Sequence, residues 1–268
     1  MKNLGILVDD NPISRCYLKI LKDKDIKLKS CIYLINKKFF FYKLFAKQNF
    51  YTNNYYAIKF LGDSKFSELI NKVENYFGYN DGFCKDMYKF ENLFEISEKL
   101  IYSENKSINS LEVYKILISE DKKIFINTGK EIIKKPFETH HEFLHIHPGY
   151  LPLVRGADSS LWHIKNFDFM GVSSFFMTRK IDEGRVILRN KLPYPVLKIE
   201  KNNKVDTKTL YRFWFSFIDP LLRGIHFKKI IENDFKSNIE LNKSEPNNYF
   251  SFMDKNNLSE VFSKIFKK

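Results

Sequence analysis

The chain has 268 residues, of which 44% are hydrophobic and 16% aromatic, and this apolar content is enough for a core and excludes a fully disordered chain. The formal net charge of +13 favours anionic partners such as phosphorylated metabolites, nucleic acid or a membrane surface. Because thirty-eight basic residues are Lys and only seven are Arg, the charge gives no specific sign of base readout, and nucleic acid is not the expected partner.

Targeting signals and cysteine pairing are not expected. No stretch approaches the length of an apolar membrane-spanning helix. The N-terminal apolar run Leu4–Val8 is too short for a signal peptide and is followed by Asp9, so we expect a cytoplasmic location. The cysteines lie far apart without a CxxC spacing, which predicts reduced thiols in or near the core. They are Cys16, Cys31 and Cys84.

The first hundred residues predict alternating strands and helices. The run Leu4–Val8 predicts a buried strand, the spacing from Ile13 to Lys22 a helix, and Leu28–Leu34 a second strand. Strand, helix and strand with short links are typical of a right-handed parallel unit, so we expect an α/β fold. No glycine-rich loop follows the first strand, which argues against NAD or FAD binding. Helices are predicted over Ser64–Tyr76 and Phe83–Tyr102.

The segment from Lys37 to Phe50 mixes Lys with Phe and Tyr. This pattern fits an amphipathic membrane helix, a stacking platform for bases, or a core-facing element with its lysines outside. We favour the core-facing element and expect no membrane partner.

The second half predicts four more strands and a helical tail. The strands are expected over Ile124–Asn127, Phe143–Ile146, Val172–Met177 and Val186–Leu192. A charged loop from Lys198 to Asp206 separates them from a long helix over Thr209–Ile231, kinked near Pro220, and from a terminal helix over Leu258–Phe266.

Four of the six histidines fall in one window, which permits two interpretations. His145 and His147 are two residues apart and would share one face of a strand, as in a metal site, but no further pattern completes a ligand set and no metal is expected. Alternatively, His147 ends a strand where open α/β sheets build their sites, with Asp182 in a turn to orient it. Equally, His147 could cap the strand and Asp182 be an ordinary turn residue. The other two histidines of the window are His140 and His141.

A set of short motifs follows His145 in a fixed order. The motifs are His147-Pro148, Leu151-Pro152, Arg155-Gly156, Gly171-Val172 and Asp182-Glu183-Gly184. Their order resembles the folate-dependent formyltransferase family, whose pattern is Asn-x-His-Pro-Ser-x-x-Pro with a following Arg-Gly, then Gly-Val-Thr, then Asp-x-Gly. Upstream, Ile124 to Pro136 looks like that family's strand, glycine and folate-pocket loop. The resemblance covers about a quarter of the chain.

The resemblance implies a fold and a domain organisation. We expect a Rossmann-like, mostly parallel sheet flanked by helices over residues 1–195, with a small helix-rich C-terminal extension over 196–268.

The resemblance also implies a reaction. The formyl donor would be 10-formyltetrahydrofolate and the acceptor a primary amine, which must attack in its neutral form. His147 would hydrogen-bond the developing oxyanion and help to move the proton, while Asp182 would hold His147 and a water and favour the cationic imidazole. The residues expected to cradle the pterin are Gly129, Ile132, Ile133 and Lys134.

One position departs seriously from the family pattern. The family's Asn falls on His145, and an imidazole is larger than an amide and titrates. His145 could still donate to the formyl oxygen, or it could mark altered activity, a different donor or lost catalysis. A smaller departure is Phe175, where the family often carries a histidine.

The tail indicates the acceptor. Its helix-rich pattern lacks the barrel of tRNA-directed relatives and looks like the tails of sugar N-formyltransferases. This favours a nucleotide-linked amino sugar used for surface polysaccharide such as lipopolysaccharide O-antigen, with Tyr150 and Arg155 contacting it and lysines suiting its pyrophosphate. The aromatic tail would also suit a homodimer. The alternatives are a tRNA-directed formyltransferase, a catalytically inactive binding module, and a metal-dependent hydrolase of formyl groups.

Overall fold

A computed structural model describes residues 3–35, 54–89, 92–199, 205–233, 235 and 249–267. The segment from Lys37 to Phe50 lies outside the described residues. The architecture is α/β: seven strands form one sheet with helices packed on it, in the order β3-β2-β1-β4-β5-β7-β8. These strands are β1 (Leu4–Asp9), β2 (Leu28–Leu34), β3 (Ser97–Ser103), β4 (Ile124–Asn127), β5 (Glu142–His147), β7 (Met170–Phe176) and β8 (Val186–Leu192).

Short strand pairs lie outside this sheet. Strand β6 (Arg155–Gly156) pairs with β10 (Tyr249–Phe250), and β9 (Leu197–Lys198) pairs with β11 (Phe266–Lys267), both in parallel. The described helices are α1 (Pro12–Asp23), α2 (Tyr55–Leu61), α3 (Ser64–Tyr76), α4 (Phe83–Met87), α5 (Leu93–Ile96), α6 (Leu111–Ile118), α7 (Ser159–Phe167), α8 (Thr207–Phe213), α9 (Asp219–Glu232) and α10 (Lys255–Ile265), with a 3-10 turn at Lys135–Glu138 and a π-helical turn at Trp214–Ile218.

Strands β1 to β5 run in parallel, and β7 is antiparallel to both β5 and β8. The strand order reverses direction at β1, where β2 lies on one side and β4 on the other, which is the topological switch point at which α/β proteins commonly bind ligands. Strand β4 ends early: its last pairing with β5 joins Ile126 and Leu144. The end of β5 at Ile146 and His147 therefore extends past its neighbour and leaves one edge open.

Both faces of the sheet are covered by apolar residues. On one face, Ile6 and Val8 of β1 join a large core that also contains Trp214, Phe217 and Leu221 from the C-terminal helices. On the other face a smaller core surrounds Leu7. The C-terminal helices therefore share the main core of the sheet. All three cysteines are free and buried, as expected.

The prediction of one helix over Phe83–Tyr102 is wrong. The structure has helices α4 and α5 there, followed by strand β3, which pairs along its length with β2. The strand sequence Ser-Glu-Lys-Leu-Ile-Tyr-Ser contains good helix formers, so its extended state follows from pairing with β2 rather than from local propensity.

The predicted long helix near Pro220 contains a π-helical turn. Helix α8 continues through Trp214–Ile218 into α9, so Pro220 lies inside a continuous helical segment and supplies no backbone N–H to it. The carbonyl oxygen of Ser216, four residues earlier, accepts a hydrogen bond from the Tyr88 hydroxyl at 2.6 Å. Among the described residues, no helix is both long and apolar enough to cross a membrane.

Candidate functional site

The sheet brings His147 and Asp182 together at the carboxyl end of β5. The two residues are thirty-five positions apart, and His147 Nδ1 lies 3.7 Å from Asp182 Oδ1. His147 Nε2 lies 3.1 Å from the carbonyl oxygen of Val154, which can only accept, so Nε2 carries a proton. Asp182 Oδ2 accepts from the backbone N–H of Gly156 at 2.9 Å, and this bond fixes the carboxylate.

This geometry gives the second imidazole nitrogen a defined role. With its proton on Nε2, neutral His147 turns the lone pair of Nδ1 toward Asp182. The 3.7 Å separation is too long for a direct hydrogen bond, but it suits a cationic imidazole beside a carboxylate or a bridging water. A proton that arrives at Nδ1 is therefore stabilised by Asp182, and Val154 keeps the other nitrogen in place.

Burial lowers the pKa of His147, and it outweighs the opposing effect of Asp182. Only 3% of the residue is exposed, and Arg223 lowers the pKa further. Asp182 by itself raises this pKa, which is the direction expected for it, but its effect is smaller than that of burial. His147 rests as a neutral base, and Asp182 stabilises the charge that forms when it accepts a proton.

Two glycines are required by close approach of the chain to the site. A Cβ on Gly149 would lie 2.6 Å from His147 Nε2 and 2.8 Å from the carbonyl oxygen of Val154. A Cβ on Gly184 would lie 1.5 Å from the carbonyl oxygen of Phe176, which holds the turn containing Asp182 against β7. Gly149 thus excludes larger residues because the imidazole lies against it, and Gly184 because the turn lies against the main chain of β7.

His145 lies on the same face of β5 as His147, as the two-residue spacing predicts. Its Nδ1 lies 3.4 Å from the carbonyl oxygen of Asn127, and its ring contacts the edge of Phe175 at a centroid separation of 5.9 Å. Burial, followed by the positive charge of Arg223, lowers the pKa of His145 to about 3. His145 is therefore neutral, and Asn127 fixes its proton on Nδ1, which leaves Nε2 as a hydrogen-bond acceptor.

Arg223 is a site residue that the sequence did not identify. Its Nη1 donates to the carbonyl oxygen of Ile146, between the two histidines, where β5 has extended beyond β4. Its Nε donates to Asp219 at 2.9 Å, and only 8% of Arg223 is exposed. The Asp-x-x-x-Arg spacing on one helix indicates an ordinary ion pair, so nothing local in the sequence connects it with β5.

The loop predicted to cradle a pterin begins beside His145. The four residues occupy different environments. Gly129 lines a cavity, Ile132 is 53% exposed, and Ile133 is 2% exposed and belongs to the core around Leu7. The backbone N–H of Lys134 donates to Asn109 Oδ1 at 2.7 Å. Gly129 and Ile132 can therefore face a ligand directly, whereas Ile133 supports the loop from inside.

The cavity beside Gly129 has a volume of about 290 Å³ and opens at the carboxyl ends of β1, β2 and β4. Asp9, Lys106 and Lys130 bring charge to its wall. Burial raises the pKa of Asp9, and Lys106 Nζ, 3.9 Å away, opposes that shift. The cavity lies on the β1 side of the loop, and neither histidine of β5 lines it.

The two residues predicted to contact the acceptor have different surroundings. Arg155 is only 4% exposed, and its Nη1 lies 3.2 Å from Glu183 Oε1, so it braces the turn that carries Asp182. Tyr150 is half-buried, and its backbone N–H donates to His163 Nε2 at 2.7 Å. Of the two, Tyr150 is placed to meet a ligand.

The histidines of the window lie at opposite ends of β5. His141 accepts from the backbone N–H of Lys123 at the amino end of the strand, whereas His147 lies at the carboxyl end, about 20 Å away at about 3.3 Å per residue. Within the described ranges, no group of three or more His, Cys, Asp or Glu side chains is arranged to hold a metal ion.

No protein-family model and no curated protein matches the sequence. Solved structures do. A sugar N-formyltransferase from Shewanella has 14% identity and a TM-score of 0.47, and the alignment covers 93% of this chain and 76% of that one. A 4-N formyltransferase from Francisella tularensis has 12% identity and a TM-score of 0.47, with 98% and 87% covered.

An N-formyltransferase from Helicobacter canadensis, solved with folinic acid and dTDP-3-aminofucose, has 18% identity and a TM-score of 0.44, with 94% and 71% covered. The chain is thus similar in structure to sugar N-formyltransferases. Because every one of these scores is below 0.5, the fold assignment rests on the strand order and the functional assignment on the site.

Proposed function

We propose that the protein is an N-formyltransferase that moves a formyl group from 10-formyltetrahydrofolate to the amine of a nucleotide-linked amino sugar. The observation that carries this proposal is the approach of His147 Nδ1 to Asp182 Oδ1 at the carboxyl end of β5, since both residues belong to the ordered motif set. A buried neutral imidazole beside a carboxylate is suited to take a proton from an attacking amine.

The loop after β4 fits the donor in two respects. Ile132 presents an exposed apolar side chain, and a cavity lies beside Gly129, so this loop would hold the pterin, supported by the buried Ile133. When bound, 10-formyltetrahydrofolate supplies an activated formyl group. His145 Nε2, an acceptor in the neutral tautomer that Asn127 fixes, would orient an N–H of the acceptor amine or of the donor.

Proton transfer follows from the geometry of His147. The proton lost by the amine would move to Nδ1, where Asp182 stabilises the resulting charge. Val154 keeps the Nε2–H oriented throughout. A neutral His145 can replace the neutral amide of the family pattern in holding a hydrogen bond, although in this tautomer it accepts at the position that faces the site.

The test is a direct assay. The protein is incubated with 10-formyltetrahydrofolate and a panel of dTDP- and UDP-linked amino sugars, and tetrahydrofolate release and sugar mass are followed. We expect one panel member to gain a single formyl group in step with tetrahydrofolate release. Formylation of none, in a sample that binds 5-formyltetrahydrofolate by calorimetry, contradicts a sugar acceptor; absence of folate binding in folded protein contradicts the reaction class.

A further inference from the structure

The strand pairings place a row of residues beside His147. His147 of β5 pairs with Ser173 of β7, and Ser173 pairs with Arg189 of β8. Paired residues of antiparallel strands project from the same face, and neighbouring strands are about 4.8 Å apart. The Arg189 side chain therefore begins about 10 Å from His147 on the face that carries the candidate base.

The next row adds a second cation and two aromatic rings. Gly171 of β7 pairs with Lys191 of β8, and a Cβ on Gly171 would lie 2.2 Å from the backbone nitrogen of Tyr150, so Tyr150 covers this position. Lys191 Nζ lies 4.9 Å from the ring centroids of both Tyr150 and Phe169. The Arg189 guanidinium carbon lies 5.3 Å from the Tyr150 centroid.

These contacts orient two positive groups at one place. Arg189 Nη1 donates to the carbonyl oxygen of Leu151 at 2.9 Å, and the ring of Tyr150 lies within cation–π range of both cations. In the described part of the chain Lys191 forms no ion pair, and its side chain is exposed. Arg155, in contrast, directs its charge into the bridge with Glu183.

We propose that Arg189 and Lys191, oriented by Tyr150 and Phe169, bind the diphosphate of the nucleotide that carries the acceptor amine. This inference rests on the proposed function for the identity of the acceptor. The Arg fork and the Lys ammonium are the donors that phosphate oxygens favour, and alternate residues of one strand present them on one face. The row from Arg189 through Ser173 to His147 then joins the diphosphate site to the proton acceptor.

The experiment measures binding of UDP, dTDP and inorganic pyrophosphate to the full chain by calorimetry. Lys191→Gln removes one cation, and within the described residues its side chain forms no hydrogen bond that the change would break. Lys122→Gln is the matched control, because Lys122 is also exposed and precedes the amino end of β4, away from the carboxyl ends of the strands where His147 lies. We expect Lys191→Gln to weaken nucleoside diphosphate binding by about tenfold or more and Lys122→Gln to leave it unchanged.

Comparison with inorganic pyrophosphate distinguishes recognition of a whole nucleotide from recognition of the diphosphate alone. Binding of UDP or dTDP that is tighter than that of pyrophosphate, with both weakened by Lys191→Gln, supports a nucleotide site. Pyrophosphate binding equal to that of both nucleotides contradicts nucleotide recognition. Equal affinities of the two Lys variants, or no binding of either nucleotide to the unaltered protein, overturn the proposal. Arg189→Lys, checked for thermal stability because of its bond to Leu151, tests the second cation in the same way.

Folate binding distinguishes this inference from the proposed function. Lys191→Gln is expected to bind 5-formyltetrahydrofolate as the unaltered chain does. If the unaltered protein binds folate but its affinity for nucleotides does not depend on Lys191, the proposed diphosphate site is wrong and the proposal of formyl transfer is unaffected. If nucleotide binding depends on Lys191 but folate does not bind, formyl transfer is wrong and the diphosphate site stands.

Discussion

Arg223 donates a hydrogen bond to the carbonyl oxygen of Ile146, seventy-seven residues earlier in the chain, and so holds the main chain between His145 and His147. The bond comes from α9 and reaches β5 where the strand has lost its neighbour β4. The same guanidinium forms a buried ion pair with Asp219 and lowers the pKa of both histidines. One side chain thus holds the main chain of the candidate site and adds to the effect of burial on the pKa of both histidines.

Replacement of Arg223 by Met should destabilise the protein by about 3–5 kcal/mol, because Asp219 is left buried without its partner. Urea unfolding measures the loss. The double variant Arg223→Met, Asp219→Asn should recover most of it, since no uncompensated charge remains. Equal stability of the single and double variants would contradict the ion-pair explanation.

The same double variant should shift the acid limb of the rate profile to higher pH. Arg223 lowers the pKa of His147 more strongly than Asp219 raises it, so removal of both charges raises that pKa. A base with a higher pKa is lost to protonation at a higher pH. The measurement is kcat/KM against pH for formyl transfer, and an unmoved limb would show that Arg223 does not act on the base.

His147→Asn should reduce formyl transfer by about 10²–10⁴-fold, because it removes the proton acceptor beside Asp182. His140→Asn is the matched control, since His140 contacts the carbonyl oxygen of Glu120 at the other end of β5. Circular dichroism should show both variants folded. Full activity in folded His147→Asn would reject the assigned role.

Gly149→Ala should lower kcat more than it raises KM. The added methyl group would lie 2.6 Å from His147 Nε2 and must displace the ring from Val154, so the base is misaligned. Gly62→Ala is the control, because a Cβ there meets nothing closer than 3.6 Å. The measurement is steady-state kinetics of both variants. Equal kcat values for Gly149→Ala and Gly62→Ala would mean that the loop shifts to fit the methyl group without moving the imidazole.

Three buried neutral histidines should make folding stability fall as the pH falls. Burial lowers the pKa of His145, His163 and His226 to about 3 in the folded protein, whereas the unfolded value is about 6.5. Between these values the unfolded chain binds protons that the folded chain does not, so each group costs stability by as much as about 1.4 kcal/mol per pH unit. Unfolding by urea at a series of pH values measures the slope.

A variant isolates one of these contributions. His226→Gln keeps a polar group beside Asn190 but cannot titrate. The slope of the unfolding free energy against pH, between pH 6 and pH 4, should therefore decrease by the equivalent of about one proton, or about 1.4 kcal/mol per pH unit. An unchanged slope would mean that His226 is protonated in the folded state or exposed before unfolding.

Strong local signals predicted most of the sheet. Strands β2, β4 and β8 lie where the apolar runs placed them, and helix α3 has the predicted bounds Ser64–Tyr76, with Asp63 capping its start. Strand β3 was misassigned because only its partner β2 makes it extended. The sequence shows that β2 is a strand, but nothing in it shows that residues 97–103 pair with β2.

The reactive residues of the candidate site were predictable from the sequence, but the residues that position them were not. His147 and Asp182 belong to short motifs with recognisable order, and the parallel sheet brings them to one edge. Arg223, Arg189 and Lys191 reach the site through strand register and helix packing, which no local pattern contains. The net shift of the His147 pKa was not predictable from the motifs, because burial, the dominant effect on that pKa, depends on the complete fold.

The pairing of β6 with β10 has a consequence for biosynthesis. Arg155 and Gly156 pair with Tyr249 and Phe250, the Ala157 N–H bonds to the Phe250 carbonyl oxygen at 2.9 Å, and the Gly156 N–H holds Asp182. On the ribosome, the chain emerges from its N-terminus, so the sheet can assemble well before residue 250 leaves the exit tunnel. The pairing that flanks the Gly156 N–H is completed only then, so a nascent chain forms its sheet before it completes the segment that holds Asp182.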